Sequence, residues 1–333
     1  MDTFPLHRLP NRAIVWVLKR MKTFDQLAYS FCSTNTKKAI KTLNLKAVAM
    51  NFHVRELIEI SIFLGNYIVI NCSIDHEDYF PKLNIIAHKT IKFYVPRHRE
   101  GWEWNFQNFE FNKWIHHFCE VLHHPKIDDL NFDHGEIEDA YIEPLQKAIE
   151  GLQIGRLSIY EEMTNDFAKK ALEGFPNYEK LYLIEIPFGG NELNKLLIQN
   201  LKSVCFHYAE GIKIDQVLLT NSERIHLEQS TFTEKGLNRL LKLWIRGGNP
   251  RLKYFCSWGQ LGRDPFDKDD ILKGVKYEQV PLDSQEVYRD YIDEINYTTT
   301  KLAGGNRVWR FDGTTAVILV TGSIFPKFEL IVE

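Results

Sequence analysis

Cysteine is scarce in this chain of 333 residues. The five present, Cys32, Cys72, Cys119, Cys205 and Cys256, lie far apart and form no Cys-x-x-Cys pair. That excludes a disulfide framework and reads as reduced, buried thiols in an intracellular protein. An excess of charge of either sign is missing too. Lys and Arg sum to 41, Asp and Glu to 44, and the net charge is -3. A chain so balanced has no bulk attraction for nucleic acid or an anionic membrane. The most apolar run, Ile58 to Cys72, is broken by Glu59, Gly65 and Asn66, and falls short of the roughly 18 residues a membrane span needs. Met1 to Arg12 carries charge, Pro5 and Pro10, and no continuous apolar core, so it is not a signal peptide. The expected location is cytoplasmic and/or nuclear, with neither membrane nor nucleic acid as partner.

Motifs that announce chemistry are also missing. There is no Gly-x-x-x-x-Gly-Lys, and the three Gly-Gly-Asn triplets (189–191, 247–249, 304–306) do not follow a strand-Gly-x-Gly-x-x-Gly-helix plan. They read as turns and helix C-caps. No Gly-x-Ser-x-Gly elbow occurs. Asp267, Asp269 and Asp270 lack the Gly and distal Glu of a calcium loop and, like Glu161-Glu162, read as solvated loop residues. His116, Cys119 and His123 would share one helix face. No fourth ligand is visible, however, and Trp114, Ile115, Phe118, Val121 and Leu122 make the same stretch an amphipathic helix with its histidines mostly at the rim. The reading is of a chain without metal or other cofactor and without catalysis of its own.

What is present is core material. Apolar residues make up 44%, aromatics 13% and charged residues 26%, enough for a small module and a larger domain. Residues 4 to 43 behave as a unit. Leu9-Pro10 opens it, and Ile14, Val17, Leu18 and Met21 then fall on one helix face. Thr23 reads as an N-cap ahead of Phe24, Leu27, Ala28 and Phe31, and Ser33 begins a third helical stretch through Thr36, Ala39, Ile40 and Leu43. Three short helices cannot enclose a full core, so some apolar faces need an outside cover.

This order of residues, from Leu9-Pro10 through Phe24, Leu27, Ser30 and Cys32 to Lys37, Lys38 and Ile40, resembles the F-box. It departs from the commonest F-box pattern at Asn11-Arg12, where an acidic residue is usual, and in lacking a Trp near its end. The resemblance implies docking on a Skp-type adaptor through Leu6, Leu9, Pro10, Ile14, Val17, Leu18, Met21, Phe24 and Leu27.

Beyond residue 80, apolar-x-apolar triplets recur: Leu130-Asn-Phe132, Leu157-Ser-Ile159, Leu181-Tyr-Leu183, Val204-Cys-Phe206, Ile225-His-Leu227 and Leu252-Lys-Tyr254. Their spacing, about 20 to 30 residues, is that of leucine-rich-type repeats, here irregular and without an Asn ladder. The intervals carry helix signals. Thr164 reads as a cap, Pro144 belongs in a first turn before a stop at Gly151, and Asn191 precedes Leu193, Leu196 and Leu197. Thr231-x-x-Glu234 reads as a capping box ahead of Leu237, Leu240, Leu241 and Trp244, with Gly247-Gly248 and Pro250 ending that helix. Between the two regions, His53 to Ile70 reads as a helix followed by a strand, and Pro81 and Pro96 mark turns around the first strands of the repeats.

The stretch Leu237 to Leu252, with Trp244, Gly248, Asn249 and Pro250, resembles the hallmark of the nematode F-box-associated domain, type 2. Arg307-Val-Trp-Arg-Phe-Asp-Gly313, followed by Thr314 to Ile318, resembles that family's closing hairpin, and Asp-Gly between apolar runs is a hairpin signal in itself. The expected architecture is α/β (α+β): an N-terminal three-helix F-box (1–44), a link of helix and strands (45–100), and a degenerate leucine-rich-repeat-like solenoid with a C-terminal hairpin (101–333). The implied function is substrate recognition in an SCF-type cullin–RING ubiquitin ligase. The alternative is a sequestering protein outside any ligase. Strand alternation sends the middle residues of the triplets, Asn131, Ser158, Tyr182, Cys205, His226 and Lys253, to the face that would meet a protein substrate. The segment Trp102-Glu-Trp104-Asn-Phe106, with Phe109 and Phe111, reads as core or as a second binding surface.

Overall fold

The computed structural model describes residues 8–55, 58–65, 68–74, 90–95, 100–105, 111–133, 141–160, 163–281, 287–293, 296–302, 304–322 and 324–333. For the strands between 68 and 105 and between 287 and 302 the description is of the backbone. Leu6 and the Trp102–Phe111 aromatic side chains therefore lie outside the described residues. The fold is mixed α/β, in two compact units, the first ending at Tyr178 and the second running from Glu179. No helix among the described residues is long and apolar enough to cross a membrane.

The first unit opens with α1 (Asn11–Leu18), α2 (Thr23–Ser30) and α3 (Thr34–Lys41). The Pro10 carbonyl accepts the first helical bonds of α1, from the N–H groups of Ala13 and Ile14. Thr23 is the first helical residue of α2 rather than its cap: the N-cap is Lys22, which makes no side-chain cap bond. Ser33 and Thr36 form a reciprocal capping box on α3.

Next come β1 (Ala47–Val54), β2 (Ile58–Leu64), β3 (Ile68–Ile74), β4 (Thr90–Val95) and β5 (Glu100–Asn105), each antiparallel to the one before. The helix expected after His53 is thus β2. Its residues alternate buried and half-buried along the whole strand, with Ile58, Ile60, Ile62 and Leu64 inward, a period of two that overrides any helical reading. After α4 (Phe111–Val121) the chain switches to strand–helix repeats: β6 (Lys126–Phe132), α5 (Ile142–Ala148), β7 (Gln153–Ile159) and α6 (Asn165–Gly174). Strand β6 pairs in parallel with both β1 and β7. Pro144 lies in the first turn of α5, and Thr164 caps α6 by accepting from the Phe167 N–H.

The second unit continues the alternation. Its elements are β8 (Tyr178–Leu183), α7 (Gly190–Leu197), β9 (Ser203–Phe206), α8 (Ile214–Leu219), β10 (Arg224–Ser230), α9 (Glu234–Ile245) and β11 (Tyr254–Gly259). The four strands pair in parallel. Then follow α10 (Lys268–Ile271), β12 (Tyr277–Gln279), a separate hairpin β13 (Val287–Asp293) and β14 (Asn296–Leu302), β15 (Asn306–Trp309), β16 (Thr315–Thr321) and β17 (Lys327–Val332). Strand β17 adds antiparallel to β11, β16 to β17, β15 to β16, and β12 to β15.

Several local signals resolve differently from the sequence reading. Thr233, not Thr231, is the N-cap of α9, because the Thr231 hydroxyl donates to the Glu210 carbonyl instead. The first Gly-Gly-Asn opens α7 rather than ending a helix. Asp267 is no free loop acid but caps α10, accepting from the N–H groups of Asp269 and Asp270. Strand β11 begins at Tyr254, so Leu252 and Lys253 precede it; the turn after Pro250 consumes those residues. Its register sets Phe255 beside Ile225 and Cys256 beside His226.

Candidate functional site

Three places gather the residues singled out in the sequence. The first is the N-terminal helical module. Ile14, Leu18, Phe24, Leu27 and Ile40 face inward and are buried. Gln26 is buried with them, its amide donating to the Leu18 carbonyl at 2.7 Å and the Met21 carbonyl at 3.2 Å, which satisfies the end of α1. Leu9, Val17 and Met21 are half-buried and Pro10 is exposed. Sequence reasoning passed over Trp16, which is 57% exposed, with the Arg20 guanidinium 3.5 Å above its ring. The signal was its position, one residue before Val17 and two after Ile14, on the outward side of α1.

The other side of this module is held by α4. Phe31 stacks on the His117 ring at 3.8 Å and meets Trp114 at 4.4 Å and Phe118 at 5.5 Å. Lys37 and Lys41 both reach Glu120. The hydrogen bonds and charges of these lysines pull the Glu120 carboxyl down to about 2. Ser30 Oγ donates to the Leu27 carbonyl at 2.6 Å, so its oxygen accepts from His117 Nε2–H at 2.7 Å. With its proton committed to a carbonyl, the serine is a clamp and not a nucleophile. His117 and His124 are buried, whereas His116 and His123 are exposed, so two of the four imidazoles leave the rim predicted for them. The driving contacts are the Phe31 stack and a 2.6 Å bond from His124 to Asp128.

Burial, with Lys37 nearby, lowers the His117 imidazole from 6.5 to about 3. The folded ring stays neutral where the unfolded ring takes up a proton. Its contribution to stability is complete above pH 6.5 and is lost progressively as pH falls toward 3, by about 1.4 kcal/mol per pH unit. Urea unfolding of this unit at pH 5 should therefore be about 2 kcal/mol less favourable to the native state than at pH 7. His117→Phe, which keeps the stack and removes the titration, should lose most of that difference. An undiminished difference in the variant would place the acid sensitivity elsewhere.

The second place is a polar row on the strand face of the first unit. Register sets His53 beside Asn131 and Asn131 beside Ser158. The opposite strand face carries Phe132, whose ring meets Phe167 of α6 at 5.3 Å, so the row lies away from α6. Asn131 and Ser158 are buried in it. Asp129 accepts from Arg156 and from Ser158 Oγ, and Asp133 accepts from His53 Nδ1 at 2.8 Å and Arg55 Nη2 at 2.9 Å. Burial raises the Asp133 carboxyl, but the bonds and charges of His53 and Arg55 outweigh it and leave the group below its usual value.

The third place is the corresponding row of the second unit: Tyr182, Cys205, His226, Cys256 and Glu329 in register across β8, β9, β10, β11 and β17. Tyr182 and Cys205 are buried and His226 is half-buried. Lys253 does not belong to this row. It precedes β11 and pairs with Glu223 at 2.8 Å. Burial, reinforced by the Glu329 carboxylate, pushes the Cys256 thiol up to about 12, and burial raises Cys119 to about 11. Cys32 departs from the expected burial, being exposed just past the end of α2.

The motif Leu237 to Leu252 has a structural explanation. Helix α9 buries Leu237, Leu240, Leu241 and Trp244. Gly247 stands at φ 100°, its N–H bonded to the Trp244 carbonyl and the Gly248 N–H to the Leu243 carbonyl, the paired bonds of a Schellman stop. Asn249 is buried at φ 46°, and its side-chain amide donates to the carbonyls of Thr220 at 2.8 Å and Val217 at 3.2 Å, capping α8. The hairpin motif meets this stop. The Phe311 N–H donates to the Ile245 carbonyl at 2.9 Å, Arg310 reaches the Gly247 carbonyl, and a Cβ on Gly247 would stand 2.5 Å from the Phe311 ring. The two stretches that resemble the F-box-associated pattern form one packed joint.

Residues 192–257, from α7 to β11, match the family model described as F-box associated. The chain is 21% identical over 275 residues to the F-box associated domain-containing protein sdz-33 of Caenorhabditis elegans, covering 82% of this chain and 85% of that protein. No solved structure matches. Residues 192–257 of the second unit are thus similar to an F-box associated domain, in a chain similar over most of its length to a nematode F-box associated domain-containing protein.

Proposed function

We propose that this protein is the substrate-recognition subunit of an SCF-type cullin–RING ubiquitin ligase. The observation that carries the reading is the joint occurrence of an F-box associated segment at 192–257 and an N-terminal three-helix module. That module leaves Leu9, Pro10, Trp16, Val17 and Met21 at its surface while α4 covers the side holding Phe31. The Skp-type adaptor covers α1 and its Leu9-Pro10 approach. Ile14, Leu18, Phe24 and Leu27 act from inside, fixing the helices that present the surface. Each apolar side chain the adaptor covers contributes roughly 1.5 to 3 kcal/mol, set against the cost of association. The chain supplies proximity for transfer carried out by other subunits. The strand-face row of the second unit takes the protein substrate at half-buried His226, whereas Asn131, Ser158 and Tyr182 are buried and act from inside their own strand faces.

Co-expression with a Skp-type adaptor tests this. The wild-type chain should elute with the adaptor as a stoichiometric complex. Val17→Asp combined with Met21→Asp should abolish the complex without altering the circular dichroism, because neither side chain is part of the buried core. A folded wild-type chain that never co-elutes with adaptor would sink the reading and favour a sequestering protein.

A further inference from the structure

Among the described residues, one group of side chains has the composition and spacing of a metal site. Cys205 on β9 and His226 on β10 are register partners, and Glu228 follows two residues on, so strand alternation returns it to the same face. Their ligand atoms (the Cys205 thiol sulfur, an imidazole nitrogen of His226 and a Glu228 carboxylate oxygen) all lie within 4.8 Å of one another. His226 Nε2 stands 3.5 Å from Glu228 Oε1. Tetrahedral zinc with bonds of about 2.0 to 2.3 Å sets its ligand atoms about 3.5 Å apart, so small rotamer changes would close the set.

The surroundings fit. His207, just past β9, donates Nδ1–H to the other Glu228 oxygen at 2.7 Å, fixing the carboxylate as an outer partner fixes a metal ligand. Gln229 stands 3.4 Å from the far nitrogen of that ring. The Trp258 ring meets the His226 ring edge-on at 5.5 Å and limits its rotation. Cys205 and the His226 Nε2 atom are buried, while His207 and Glu228 stay partly exposed, which leaves an entry path on their side. By contrast, His116 and Cys119 of α4 do not converge with His123, which lies past the helix end at φ 50°.

We propose that Cys205, His226 and Glu228 bind zinc, with the fourth position open to water or to a side chain of a bound partner. Binding releases the Cys205 thiol proton to solvent as the Zn–S bond forms, so affinity rises with pH. The site lies on the strand-face row and does not depend on adaptor binding.

The test uses the purified full-length chain, stripped with chelator and titrated with Zn²⁺ against a chromophoric competitor, then with Co²⁺. One equivalent should bind, and the cobalt form should show thiolate-to-cobalt charge-transfer absorption. Cys205→Ser should remove that absorption, and Cys205→Ser, His226→Gln and Glu228→Gln should each weaken zinc binding about ten-fold or more. His116→Gln should leave it unchanged. Circular dichroism of each variant separates loss of ligand from loss of fold, and Glu228→Gln, at a half-exposed position, serves if the Cys205 variant does not fold. Absence of stoichiometric zinc binding by the folded wild-type chain, or binding that survives both Cys205→Ser and Glu228→Gln, would overturn the site.

Discussion

Asn249→Leu should destabilise the second unit by about 2 to 5 kcal/mol. The variant leaves the Thr220 carbonyl without this donor in a buried place, at about 1 to 3 kcal/mol, and takes from the Val217 carbonyl one of two donors, the Thr220 N–H remaining. It also puts a γ-branched side chain at φ 46°, a conformation Asn tolerates and Leu does not. The measurement is urea unfolding followed by hydrogen exchange of 214–245. Exchange should rise first in α8, whose last carbonyls lose their cap, and in α9, whose stop shares the turn. Asn249→Asp, which keeps the shape and loses the donors, should give much of the same loss. An unchanged midpoint would mean that the Gly-Gly-Asn-Pro turn is held by its backbone bonds alone.

Phe31→Ala should cost the first unit about 3 to 5 kcal/mol, the range for removing a buried phenylalanine. The ring sits among Trp114, His117 and Phe118, so its loss opens a cavity between the N-terminal helices and α4. Hydrogen exchange should accelerate together in 23–41 and 111–121, and the Ser30–His117 bond should go with it. Acceleration confined to α2 would show instead that the Lys37 and Lys41 pairs with Glu120 suffice to hold α4.

Legibility in the sequence followed the range of the physics. The helix stripes Ile14/Leu18, Leu193/Leu196/Leu197 and Leu237/Leu240/Leu241/Trp244 were readable because one buried face imposes a 3.6-residue period. Strand β2 was misread because Ile58, Ile60, Ile62 and Leu64 suit either element until their alternation with Glu59 and Ser61 is counted. The α9 cap slipped by two residues because two threonines offered the same chemistry and only tertiary structure gave Thr231 the Glu210 carbonyl. The row Tyr182–Cys205–His226 was visible from spacing, but its continuation through Cys256 was not, since the turn at Asn249-Pro250 sets where β11 starts. Glu228 was missed although His226-x-Glu228 carries the period of two. Trp16 was missed although its place between Ile14 and Val17 sets it on the outward side of α1.

The adaptor footprint separates a ligase subunit from a sequestering protein, and hydrogen exchange of the chain with and without a Skp-type adaptor reads it. Exchange should slow at 9–21, with 111–124 and the 192–257 segment unchanged. A complex that instead protects α4 or the second unit, with α1 exchanging as in the free chain, would contradict the ligase-subunit reading.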